Sequence, residues 1–385
     1  MIYLDYNATT PLDPHVLNEM KPYFNEKFGN AASKSHHFGI ESKKAVLQAR
    51  KIISKNINAK TNELVFTSGA TESINLGIIG SVLGSTKDHK KIITSSIEHK
   101  AVLDTCNFVK QFGVEIVYLS VDSMGFINPT DFEKVIDGDV ILVVLQHVNN
   151  EIGTIQQINE LGAISAKFKI PFMVDAAQSL GKLTIDVKKS NITYLAASSH
   201  KIYGPKGVGV FYKDSTSDAK LQPIMHGGGH EGGIRSGTLN VPGIVGFGKA
   251  IDIAGESMLN EEKRLTNLSK QCIKVLKEEG IDFTINGSED SRIAGNLNLC
   301  FDGVDADWII LHTPEIAIST GSACTSETIE PSHVLRSLGL KDENLNSSVR
   351  LSFGRFTTKE EIKKASYLLA NSVKEFLKKR EKIFN

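Results

Sequence analysis

An excess of charge of either sign is the first thing missing: 44 lysines and arginines stand against 44 aspartates and glutamates in 385 residues. Such a chain has no global field to draw in nucleic acid or an anionic membrane, so direct binding to either is not expected. The basic run Lys378-Lys379-Arg380 reads as the solvated end of a final helix. Cysteine is scarce. The four present, Cys106, Cys272, Cys300 and Cys324, contain no C-x-x-C pair, which argues against a zinc knuckle and leaves no metal to expect. They are too few for a disulfide scaffold, and a reducing cytoplasm suits them. No apolar run nears the ~20 residues of a membrane helix. The longest, around Val140 to Leu145, has the length of a buried strand. The opening Met1-Ile2-Tyr3-Leu4-Asp5 lacks the basic-then-apolar form of a signal peptide.

What is present is an alternation. Seven short β-branched runs lie between residues 64 and 212: Leu64 to Thr67, Lys91 to Thr94, Val114 to Tyr118, Val140 to Leu145, Pro171 to Val174, Tyr194 to Ala196 and Val208 to Tyr212. Amphipathic stretches such as Glu41 to Ile57 separate several of them. Continuous apolar strands between helices predict an α/β fold with a mainly parallel sheet covered on both faces. Chemistry in such sheets sits at the carboxyl ends of the strands. The texture changes near Asn260. A charged helix from Glu261 to Glu279, strands near Phe283 and at Leu297 to Phe301, and a last helix opened by a Thr358/Glu361 capping box predict a smaller α+β lobe.

Six places carry residues suited to chemistry. Ser68-Gly69-Ala70-Thr71 follows a strand and opens a helix, a backbone suited to an anion or simply an ordinary βα turn. Asp175 ends an apolar strand, where a carboxylate needs a cation or hydrogen bonds, or serves as a helix cap. Lys201 stands in Ser198-Ser199-His200-Lys201; a desolvated lysine can lose its proton and attack a carbonyl, although most single lysines are surface charges. His99 sits just past a strand, able to stack on a flat group and shuttle protons, or merely a satisfied histidine. Cys324 lies among small and hydroxylated neighbours, Thr320 to Ser326, as a loop thiol does, whether reactive or inert. Arg350 interrupts an alternating strand and can clamp a carboxylate or form a structural ion pair. Gly227-Gly228-Gly229-His230-Glu231-Gly232 matches G-x-G-x-x-G but lacks the strand and helix that a dinucleotide site requires.

The order and spacing of these signals are more specific than any one of them. The chain resembles, over essentially its whole length, the cysteine desulfurases among the fold-type I pyridoxal-phosphate enzymes, and within them the housekeeping branch with a long cysteine loop. The resemblance rests on Tyr3 to Pro11, Phe28-Gly29-Asn30, Ser68 to Asn75, Glu98 to Leu103, His147 to Thr154, Val174 to Ser179, Ser199 to Gly207, Arg235 to Thr238, Ser322 to Ser326 and Val349 to Ser352.

It implies a large cofactor domain (residues 15–257) with a seven-stranded sheet, and a small domain (1–14 and 258–385) carrying the cysteine loop. Lys201 would hold pyridoxal 5'-phosphate as a Schiff base, Asp175 would pair with the ring nitrogen, Gln178 would bond the ring oxygen, and His99 would stack on the ring. Ala70, Thr71, Ser198, Ser199 and His200 would surround the phosphate. Thr238 would reach the phosphate of a neighbouring subunit in a homodimer. Asn150 and Arg350 would orient the carboxylate of L-cysteine, Lys201 and His99 would move protons, and Cys324 would take the sulfur as a persulfide, leaving L-alanine. The sulfur would go to an acceptor protein for iron–sulfur assembly, tRNA thiolation or DNA phosphorothioation. A selenocysteine lyase and a sulfur-relay partner are the alternatives. Ala31, Gly232, Asn240 and the short stretch Ile309 to Pro314 depart from the usual pattern. None holds one of these roles, and they leave the partner surface and pathway open.

Overall fold

The computed structural model describes residues 1–320 and 331–384. All seven apolar runs form strands of one sheet. Its spatial order is Leu64–Thr67, Gly209–Lys213, Tyr194–Ser198, Phe172–Asp175, Val140–Gln146, Lys90–Ser95 and Val114–Leu119. Gly209–Lys213 runs antiparallel to both neighbours, and the other pairings are parallel. The interior strand Val140–Gln146 is buried throughout. Val143 and Leu145 pack into one core and Leu142 and Val144 into another, so successive side chains enter helical layers on opposite faces. An unbroken run of apolar residues is what a strand covered on both faces requires.

The change of texture near residue 260 does not mark a new helix. One helix runs from Val241 to Glu278, capped at its start by the Asn240 side chain, which accepts from Gly243 N–H at 3.1 Å. Its first half, through Ile244, Phe247 and Ile251, packs on the large core, and its second, through Leu268, Cys272 and Leu276, packs on a separate one. The charged stretch between them contains no proline to stop the helix. What alters is the surface the helix packs against. The second core is built on the antiparallel strands Thr284–Ile285, Asn296–Cys300 and Ser348–Ser352 and on the final helix Lys359–Phe384. That helix opens with the expected capping box: Thr358 N–H donates to Glu361 at 2.8 Å, and Glu361 N–H to Thr358 Oγ1 at 3.1 Å. The N-terminal strand Ile2–Tyr3 pairs in parallel with Ile316–Ala317, and Ile2 and Leu4 enter this second core. Among the described residues no helix is long and apolar enough to cross a membrane.

One buried group just past the strand Val140–Gln146 sets a pH limit. Among the described residues the His147 ring makes no hydrogen bond through Nδ1, and burial pulls its pKa from 6.5 down to about 4. The unfolded chain therefore binds the extra proton first, and stability falls as pH drops from 6.5 towards 4. A shift of this size is worth ~3 kcal/mol by linkage. Chemical denaturation at pH 7 and pH ~4.5 is expected to show a smaller acid loss for His147→Gln than for the unaltered chain. Equal losses would refute this assignment.

Candidate active site

Five strand ends converge on one side of the sheet. Residues just past them — Ala70, His99, Asn150, Gln178 and Lys201 — line a cavity of about 160 Å³. Asp175 and Ser198, the last residues of their strands, line it too, as do Thr71, His200 and, from the second core, Arg350. The parallel topology forces this meeting, because parallel strands all leave the sheet at one end.

The N-terminal segment, to which sequence reading gives no chemical role, crosses the cavity and ties the site together. Lys201 Nζ donates to the carbonyls of Asn7 at 2.6 Å and Ala8 at 2.8 Å. Gln178 Nε2 donates to the same Asn7 carbonyl at 2.8 Å. Thr9 Oγ1 lies 3.0 Å from His200 Nδ1, and the His200 carbonyl accepts from Thr10 N–H at 3.0 Å. Most of these contacts go through backbone atoms, which side-chain identity does not reveal.

Electrostatics separate the groups. Asp175 is buried, and its Oδ1 accepts from Ala177 N–H at 2.9 Å. Burial pushes its pKa up, against that hydrogen bond and the positive fields of His99 and Lys201. A carboxylate so placed gains from a cation brought into the cavity. The His200 imidazole is held at about 4, first by burial and then by the cations of Lys201, Lys206 and Lys182, so it is neutral at pH 7. Glu98, behind His99, is fully buried, and its Oε1 accepts from Ser95 Oγ at 2.6 Å. Burial pushes it to about 8, which leaves it protonated at pH 7.

Arg350 is only 1% exposed. Nη2 donates to Asp5 Oδ1 at 2.6 Å and Nη1 to the Asn150 carbonyl at 3.1 Å, while Nε makes no hydrogen bond among the described residues. Its guanidinium therefore reaches the cavity already charge-balanced, with an N–H to spare. The helix Ala70–Gly84 begins at the cavity wall, where backbone N–H groups and the positive end of the dipole favour an anion. Ser198 Oγ accepts from Ala70 N–H there at 2.8 Å.

Two predicted residues fall outside this cavity. Ser199 is fully buried behind the strand end, and a Cβ added at Gly204 would lie 1.9 Å from its Oγ. Thr238 is exposed. Cys324 lies outside the described residues. The remaining cysteines, Cys106, Cys272 and Cys300, are buried and unbridged.

An amine, a buried carboxylate, an imidazole, a helix N-terminus and a guanidinium around one cavity are the donor set that pyridoxal phosphate and an amino acid need. Comparison with known proteins agrees. The chain belongs to the aminotransferase class-V family, whose model matches residues 2–365; the family uses pyridoxal phosphate. Its relatives there include cysteine desulfurases. Cysteine desulfurase IscS of Vibrio vulnificus is 47% identical over 364 residues, 94% of this chain and 90% of that protein. The Rickettsia bellii enzyme of the same name is 45% identical over 374 residues, 97% of this chain and 91% of that protein. Among solved structures, a NifS-like protein superposes with a TM-score of 0.89 at 33% identity, covering 96% of this chain and 98% of that one. SspA in complex with cysteine gives 0.81 at 36% identity, covering 93% and 100%.

Proposed function

We propose that the cavity takes L-cysteine, releases L-alanine and passes the sulfur to Cys324 as a persulfide. The observation that carries this reading is the meeting of Lys201, Asp175 and Arg350, brought from a 3₁₀ turn, a strand end and the second core, on one cavity. Bound there, pyridoxal phosphate supplies an electron sink for the reacting amino acid. Asp175 keeps its ring nitrogen protonated, which relieves the cost of burying the carboxylate. The Lys201 amine would hold the cofactor covalently and is the group placed to move a proton at the substrate Cα. His99, at the cavity wall, would lie against the ring and serve as a second proton carrier. Gln178 Nε2 donates to the ring oxygen. Ala70, Thr71, Ser198 and His200 hold the phosphate, with Ser199 supporting the turn from behind. Asn150 and Arg350 orient the substrate carboxylate. The Cys324 thiolate then attacks the substrate sulfur: an S–S bond forms, the substrate C–S bond breaks, and the electron pair stays with the alanine fragment, which takes up a proton.

The unit is a homodimer in this reading. Phe24, Phe28 and Phe38 are 62%, 63% and 47% exposed in the single chain, and Thr238 is also on the surface, where a second copy's phosphate can reach it. Residues 15–257 act as the cofactor domain, and 1–14 with 258–385 as the domain that carries Cys324. A reducing cytoplasm and an acceptor protein for the sulfur complete the assignment. Iron–sulfur assembly, tRNA thiolation and DNA phosphorothioation all draw on the same persulfide chemistry. Purified protein is expected to be yellow, to bleach with borohydride, and to form alanine and releasable sulfur from cysteine in equal amounts. Pyruvate in place of alanine would overturn the assignment.

The anion site depends on a close backbone approach. A Cβ at Gly209 would lie 2.5 Å from Gly69 Cα and 2.6 Å from the Ala197 carbonyl. Gly209→Ala must push the Gly69–Ala70 turn away from Ser198. Overpacking of this kind costs about 1–3 kcal/mol, so roughly ten- to hundredfold weaker cofactor retention is expected. Equilibrium dialysis of the apoprotein against pyridoxal phosphate measures it.

A further inference from the structure

Gln178 is held at both ends of its amide. Nε2 donates to the Asn7 carbonyl at 2.8 Å, and Oε1 accepts from Lys182 Nζ at 3.2 Å. Residues 178 and 182 are one turn apart in a tight segment whose N–H groups at Leu180, Lys182 and Leu183 are bonded back to Ala176 and Ser179. Gly181 has φ +71, and a Cβ there would meet Ala254 and Ile202 at 3.2 and 3.3 Å. The turn is therefore wedged between the long helix and the segment after Lys201, and the Lys182 side chain is directed back along it to Gln178. The amine is in close company. Burial, and then the Lys201 amine, pull its pKa down to about 7, while Glu261 acts the other way. His200 feels the Lys182 charge in turn. Glu261 itself is held by Arg355.

We propose that Lys182 is a positioning residue for the cofactor: by donating to Gln178 Oε1 it fixes the Gln178 amide, so that Nε2 is presented to the cavity as a polarised donor. This rests on the reading of the cavity as a pyridoxal-phosphate site. The Asn7 carbonyl only accepts, which sets which end of the amide faces it. Without the amine at the other end, Oε1 loses its bond and the amide is held only through Nε2, able to tilt about that one contact. An amide whose oxygen accepts from a cation has a more strongly polarised N–H. Such a donor stabilises negative charge on the ring oxygen that it meets.

The test is the pH midpoint of the visible band of the cofactor-loaded protein. In Lys182→Met the midpoint is expected to rise by about half a unit or more, because the anionic ring oxygen is less well stabilised. Lys182→Arg, which keeps the donors, is expected to return it. In a Gln178→Leu background, Lys182→Met is expected to add less than half of its original shift. An unmoved midpoint in Lys182→Met, or a shift undiminished in the Gln178→Leu background, overturns the role of Lys182. If Lys182→Met does not accumulate folded, Lys182→Ala, which leaves room for water beside Gln178 Oε1, is read in the same way, and an unmoved midpoint there overturns the proposal as well. Failure of the underlying reading looks different: the unaltered protein then shows no visible band with pyridoxal phosphate at all.

Discussion

Lys201→Ala is expected to yield a colourless protein that makes no measurable alanine. The lysine amine is the covalent tether and, in this site, the group placed to move the substrate proton. Its Nζ is held by the Asn7 and Ala8 carbonyls at 2.6 and 2.8 Å, so it lies at a fixed place in the cavity. Alanine cannot tether the cofactor, and the loss of one positioned acid–base group alone costs about 10²- to 10⁴-fold. Loss of the tether adds to that, so a fall in alanine formation beyond about 10⁴-fold is expected. Folding should survive, since replacement with alanine removes an amine and leaves the neighbouring Asn7 and Ala8 carbonyls at the cavity wall, open to water. Absorption spectra with added pyridoxal phosphate, and amino-acid analysis after incubation with cysteine, read both effects. A coloured Lys201→Ala protein with ordinary turnover removes the assignment.

Cys324→Ser has a different signature. The colour is expected to remain, because none of the described groups lining the cavity is altered, while sulfur transfer stops. A serine hydroxyl is scarcely ionised at neutral pH and cannot capture sulfur as a thiolate does. Sulfide release in the presence of a reducing thiol is expected to fall by more than about 100-fold, a loss in keeping with removal of a covalent nucleophile. After exposure to sulfur-35-labelled cysteine, the unaltered chain is expected to carry label that dithiothreitol removes, and the serine variant none. Ordinary sulfide output from the variant would show that another group takes the sulfur. The three described cysteines are poor substitutes. Burial pushes the thiols of Cys106 and Cys272 up to about 12 and 11, and that of Cys300 also upwards.

The remaining contrast is between what residues announce and what they hide. Asp175 shows itself as a carboxylate at the end of an apolar strand; in the structure it bonds the Ala177 N–H as a cap does, and it lines the cavity. Arg350 likewise is both structural, through Asp5, and directed to the cavity. Ser199 reads as one of a row of serines, yet it alone is turned into the packing behind Gly204. In a 3₁₀ turn successive side chains point about a third of a revolution apart, so Ser199, His200 and Lys201 cannot all three face the cavity. Lys182 stays hidden because a lysine several residues past a strand resembles any surface charge, and its partner is fixed only by the turn at Gly181.

By itself the sequence determined the seven strands, their helical cover and the residue types of the chemistry, because apolar periodicity and strand-end composition are local properties of the chain. Strand order, the continuity of Val241–Glu278 through the change of core, and the backbone carbonyls of Asn7 and Ala8 that hold Lys201 and Gln178 were decided only in three dimensions. The physical reason is that these depend on pairings between segments up to nearly 200 residues apart, and on main-chain atoms that every residue shares.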